Sequence, residues 1–178
     1  MTESERESNQ PSRIDPYTPL PFDLVLLRNS PITMYHSRSI LENDLQKVVA
    51  CGYQSYTFDC AVWQSEMDMH RALAAKMSFP DYYGHNLDAL NDCLGDSDVI
   101  LADTLIVLVD FNAFFQRFPR AWHVLDIIAQ ACWFNLLFGR KVMGFIHTSD
   151  PNITFQQIGA KPVMWNPLEW FDSSRRAH

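Results

Sequence analysis

Apolar residues fall into short blocks separated by polar, proline or glycine breaks, and the spacing inside each block predicts its element. Residues 22–27 (FDLVLL) are a nearly continuous apolar run, expected as a buried strand. Ser39 is placed to cap a helix with Ile40, Leu41, Leu45, Val48 and Val49 on its inner side, ending near Gly52. Residues 53–59 alternate and are rich in aromatic and β-branched side chains, the pattern of a strand. Ser65, with Asp68 three residues on, makes a loose capping box before a helix carrying Met69, Leu73 and Met77 on one face. Phe79-Pro80-Asp81 stops that helix, and Asn86 is set to cap a short one reaching Leu94, with Gly95 just beyond. Residues 105–109 (LIVLV) read as a central strand covered on both faces. A short helix over 112–118 ends at Pro119, a long helix over 121–138 precedes Gly139, and 142–146 is a further strand.

Strands separated by helices, with apolar central strands that do not alternate, indicate an α/β fold with a mainly parallel sheet. Residues 1–21, polar and carrying Pro11, Pro16, Pro19 and Pro21, read as a flexible arm. Residues 22–52 are expected as an added β–α unit, 53–148 as the main domain, and 149–178, which contains Trp165, Trp170 and Phe171, as a tail packing on it.

At 178 residues and 47% hydrophobic, the chain can bury one full core. The longest apolar segment, 121–138, contains His123, Asp126, Gln130 and Asn135, so it reads as a packed helix and no membrane partner is expected. The polar start MTESERESNQPSR lacks the features of a secretory leader, which points to the cytoplasm. Cys51, Cys60, Cys93 and Cys132 form no CxxC pair and read as reduced core thiols, a Cys51–Cys60 bridge being the alternative.

Charge sharpens the picture. Residues 77–116 carry Asp81, Asp88, Asp92, Asp96, Asp98, Asp103 and Asp110 and neither Lys nor Arg. The remaining 14 acidic residues balance the 14 basic ones, so the net charge of −7 sits in one stretch. Such a field repels nucleic acid and attracts a basic protein, unless it is merely a solvated surface.

Within that stretch, residues 79–95 read FPDYYGHNLDALNDCLG. On a helix after Asn86, Leu87, Leu90 and Leu94 share a core-facing stripe, while Asp88 and Asp92 stack at i, i+4 on an exposed face. Like charges so spaced disfavour a helix by about 0.2–0.5 kcal/mol. Asp88 suits the positive end of the helix dipole, whereas Asp92, in the last turn, opposes it. Folding does not ask for Asp92; recognition of a cationic site would, since a rigid carboxylate pair resembles two phosphates to clustered Arg and Lys. Tyr82 and Tyr83 offer either contact surface or a ring closing the core edge, and Gly84 a conformation or close approach barred to a side chain.

The run from Tyr82 through Gly84, Asn86, Leu87, Asp88 and Asn91 to Asp92 and Leu94 resembles the signature of the barstar family, inhibitors of barnase-like ribonucleases. A weaker likeness extends over 53–148. The resemblance implies a parallel three-stranded sheet flanked by helices, to which the N-terminal β–α unit is additional. It also implies that Asp92 enters the partner's catalytic cations beside Asp88. Tyr82, Asn86, Leu87, Asn91, Gly95 and Asp96 would complete the contact surface, with Tyr83 and Gly84 shaping the loop. Asn91 stands where the family's type member has tryptophan, and Gly95-Asp96 replace its Thr-Gly, so the partner's surface can differ.

On this reading the chain is no enzyme, needs no cofactor, and pairs with a basic ribonuclease or a related toxin. The nearest rival is an immunity or antitoxin protein using the same scaffold against another basic toxin. A metal site on His85, Asp88 and Asp92 (H-x2-D-x3-D) is a weaker alternative, since His85 precedes the cap. No GxSxG, HExxH or glycine-rich phosphate loop is present.

Overall fold

The structure is a computed structural model describing residues 19–155, 158 and 163–172; most of the expected N-terminal arm lies outside them. The helices are α1 (Phe22–Asn29), α2 (Arg38–Ala50), α3 (Glu66–Met77), α4 (Leu87–Gly95), α5 (Phe111–Arg117) and α6 (Trp122–Leu136). The strands are β1 (Ile32–Tyr35), β2 (Gln54–Asp59), β3 (Thr104–Val109), β4 (Val142–His147) and β5 (Met164–Trp165). All strand pairings are parallel, in the order β2-β3-β4-β1-β5.

Strands β2, β3 and β4 are the three implied by the family likeness; β1 and β5, from either end of the chain, extend the sheet to five. The apolar run of β3 is explained by cover on both sides. Leu105 and Val107 pack with Leu26, Leu41 and Val48 under α1 and α2. Ile106 and Leu108 pack with Leu73, Leu90 and Ile128 under α3, α4 and α6. Gly144 on β4 permits the close approach of α6, because a Cβ there would stand 2.7 Å from Ile32 Cδ1 and 3.3 Å from Ile128 Cγ2.

Two local expectations are corrected. Residues 22–27 lie in helix α1, not a strand. Only Leu26 and Asp23 of the first five residues turn inward, and Leu24 is exposed, so one face is buried rather than two. Asp23 accepts from the Tyr53 hydroxyl (3.2 Å) and pairs with Lys141 (2.5 Å). Burial alone would raise the Asp23 carboxyl, but the Lys141 ammonium holds it below its ordinary value. The first strand comes later, as the fully buried Ile32–Tyr35.

Helix α2 begins after Ser37 rather than Ser39, and Cys51, just past its end, is exposed rather than a core thiol, unlike the buried Cys60, Cys93 and Cys132. The buried Glu169 of the tail accepts from the backbone N–H of His36 and Ser37, both at 2.9 Å, and Asn166 donates to the buried Asp44 (2.6 Å). Those bonds, with β5 on β1, fasten the tail to the sheet.

Candidate functional site

Helix α4 is held at both ends and along its inner face. At its start, Asn86 has extended backbone and its Oδ1 accepts from Ala89 N–H at 2.8 Å, as the sequence predicts. Gly84 serves this cap: a Cβ on it would meet Asn86 Nδ2 at 3.1 Å. The left-handed residue of the loop is the neighbouring His85 (φ 52°), whose Nδ1 lies 3.0 Å from the Tyr83 carbonyl oxygen.

The preceding loop turns on Tyr83, which is buried where Tyr82 is 77% exposed. The Tyr83 ring packs edge-on against Phe79 with centroids 4.9 Å apart, and its hydroxyl lies 2.5 Å from His70 Nδ1. Burial raises the Tyr83 phenol; burial, then the nearby His85, lowers His70 to about 4. At neutral pH this hydrogen bond therefore joins two uncharged groups.

The inner face carries buried Leu90, Cys93 and Leu94, with Leu87 half-buried at its edge. Burial first, then Asp96 and Asp92, pushes the Cys93 thiol up. At the far end, fully buried Asn135 of α6 donates to the Leu94 carbonyl (2.8 Å), and Arg140 donates to the carbonyls of Ser97 and Ile100, both at 2.6 Å. Asp96 Oδ1 accepts from Asp98 N–H (2.8 Å), closing the turn after the helix.

The outer face brings together Asp88, Asn91 and Asp92, all exposed, with Gly95 and Asp96 half-buried beyond them. Neither Asp88 nor Asp92 forms an ion pair with any described residue. Asp103 and Asp110 of the acidic stretch differ, being paired with Lys141 (3.0 Å) and with Arg38 and His147 respectively. The free negative field is thus concentrated around α4. Asp88 shares a pocket of about 370 Å³ with Arg120 and His123, and Asp92 a larger groove with the C-terminal half of α6.

These positions invite comparison with known proteins. The family model described as "Barstar (barnase inhibitor)" matches residues 53–142, half of the chain. The chain belongs to the barstar family. Over 67 residues it is also 45% identical to the Bacillus subtilis (strain 168) protein named "Putative ribonuclease inhibitor YrdF", covering 35% of this chain and 68% of that relative. The barstar-family core therefore contains β2, α3, α4, β3 and α6, and every residue singled out on α4 and its loop.

Sequence reasoning missed the neighbours supplied by α6 and by the 3-10 turn Pro119–Ala121 that precedes it. Arg120 and His123 flank Asp88, while Trp133, Phe134 and Leu137 wall the groove beside Asp92. The available signal was an excess of apolar residues: 133–138 supplies more than one face against α4 can bury. Among the described residues, no group of three His, Cys, Asp or Glu is gathered as metal ligands, and no helix is long and apolar enough to cross a membrane.

Proposed function

We propose that this barstar-family protein inhibits a basic ribonuclease of the barnase type by placing Asp88 and Asp92 where RNA phosphates bind. One observation carries the reading: a helix anchored at both ends presents two exposed carboxylates one turn apart, with no cation among the described residues pairing them. An anchored helix loses little freedom on binding, and an unpaired carboxylate gives up only water when it meets Arg or Lys. Asp92 takes the central cation and Asp88 its neighbour. Exposed Tyr82 supplies apolar contact, while Asn86, Leu87, Asn91, Gly95 and Asp96 form the surrounding surface; Tyr83 and Gly84 hold the loop in shape. The protein acts by occupying a site, without catalysis or cofactor. Four unbridged cysteines fit the reducing cytoplasm as its place of action.

The test is titration of the purified chain into barnase cleaving RNA. Inhibition saturating at one chain per enzyme, and relieved by Asp88→Asn with Asp92→Asn, is expected. Undiminished cleavage at excess chain sinks the reading. Asn91, together with the apolar groove beside it, favours a second reading: an immunity protein directed at another basic toxin. Isolation of the natural partner, followed by an RNA-cleavage assay with and without this chain, separates the two.

A further inference from the structure

Between α4 and α6 lies an open groove of about 690 Å³. One wall carries Asp92, Gly95 and Asp96; the other carries Trp133, Phe134 and Leu137. The apolar wall is 42%, 47% and 78% exposed at those three residues, and exposed Phe138 continues it, its ring centroid 5.3 Å from that of Phe134. A contiguous apolar patch of this kind on a folded surface marks a place of contact. Gly95 helps keep it open, since a Cβ there would rest 3.7 Å from Phe134 Cδ1 and cover part of that ring.

The groove's chemistry selects its occupant. Its described lining includes two carboxylates and neither Lys nor Arg, so what enters must offer apolar surface and positive charge together. A second copy of this chain does not meet that demand: joining two such faces sets Asp92 and Asp96 of each copy against their counterparts with no cation in the lining. A basic protein does. Asp92 belongs both to the acidic pair and to the groove wall, so the two surfaces are continuous.

We infer that the groove is a second subsite of the inhibitory surface, receiving an aliphatic or aromatic side chain of the basic ribonuclease that stands beside one of its lysines or arginines. The inference rests on the ribonuclease-inhibitor reading and adds a specificity element to it. Cations of the partner meet α4, its apolar side chain meets α6, and a partner lacking that side chain is held less long.

The test uses barnase as the probe and reads association and dissociation by stopped flow at several salt concentrations, with wild type, Phe134→Ser, Leu137→Ser and Asp92→Asn. Both apolar substitutions are expected to speed dissociation on the order of tenfold while leaving the salt dependence of association intact. Asp92→Asn is expected to weaken that salt dependence as well. Leu137 is the most exposed of the three, so its variant stays folded, and its melting temperature verifies this. Tight wild-type binding with unchanged dissociation in Leu137→Ser and Phe134→Ser overturns the groove and leaves the inhibitor reading standing. A wild type that neither binds nor inhibits barnase overturns that reading and the groove with it. A wild-type dimer that Leu137→Ser converts to monomer assigns the groove to a second copy and overturns the inference.

Discussion

Asp92 is the residue whose presence folding explains least. It sits in the last turn of α4, one turn from Asp88, and no described residue pairs with it. Replacing it with alanine should leave the melting temperature unchanged or slightly raised, because a like-charge contact and an unfavourable helix-dipole interaction both disappear. Binding should fall by about 2 kcal/mol or more, the loss typical of a central charged anchor. Glu42→Ala, an exposed carboxylate on α2 across the sheet, is the control, with no change in affinity. Equal losses from the two variants would show that only net charge matters. His70 makes a different prediction. Its native pKa is depressed to about 4 from an ordinary value of 6.5. An unfolded chain therefore takes up a proton that the native state refuses, and stability present above pH 6.5 is lost as pH falls towards 4. That loss is about 3 kcal/mol. The lowered His147, whose burial outweighs the attraction of Asp110, changes stability in the same direction. Denaturant titrations at pH 7 and pH 4.5 should therefore diverge less for His70→Gln than for the wild type.

At the scale of elements, α4 depends on its cap and on the glycine that makes room for it. Asn86→Ala removes the acceptor for Ala89 N–H and should cost about 1 kcal/mol of stability. Affinity should fall further than stability alone requires, since the first turn carries Asp88. A variant with lowered melting temperature but unaltered affinity would show that the cap does not preorganise the acidic pair. This cap was legible in the sequence because Asn followed by a Leu stripe is a local signal that tertiary structure had no cause to override. The same holds for Ser65, whose Oγ accepts from Asp68 N–H (3.1 Å), and for the doubly covered β3. Residues 22–27 were misread because a six-residue apolar run suits a strand and a one-sided helix equally well; the decision came from Asp23, drawn inward by Lys141 and Tyr53. Strand β1 was missed because four residues between Pro31 and His36 are too short for a period, although all four are buried. Within the site, residues on α4 and its loop could be named because one contiguous motif contains them. The α6 wall could not, since only packing of one helix on another brings Phe134 beside Gly95.

At the scale of the whole molecule, the seven aspartates of residues 77–116 do not act alike. Asp103 and Asp110 are tied to Lys141, Arg38 and His147, and they reinforce the sheet's neighbourhood rather than the outward field. Asp81, Asp88, Asp92, Asp96 and Asp98 form no ion pair with described residues and lie on or beside α4 and its flanking loops. On the proposed reading, these five aspartates set up a field that would orient an approaching cationic protein before contact. The association rate with a basic ribonuclease should fall steeply as ionic strength rises towards 0.15 M, where the screening length is about 8 Å. Dissociation, governed by contacts already made, should change far less. Neutralising Asp81 and Asp98 together should flatten the salt dependence of association while leaving dissociation nearly untouched, because both stand outside the expected contact. Salt-independent association of the wild type would mean that the acidic stretch is only a solvated surface. A flattened slope obtained equally from Asp103→Asn would place the steering field in the ion pairs at the ends of β3 instead of the helix.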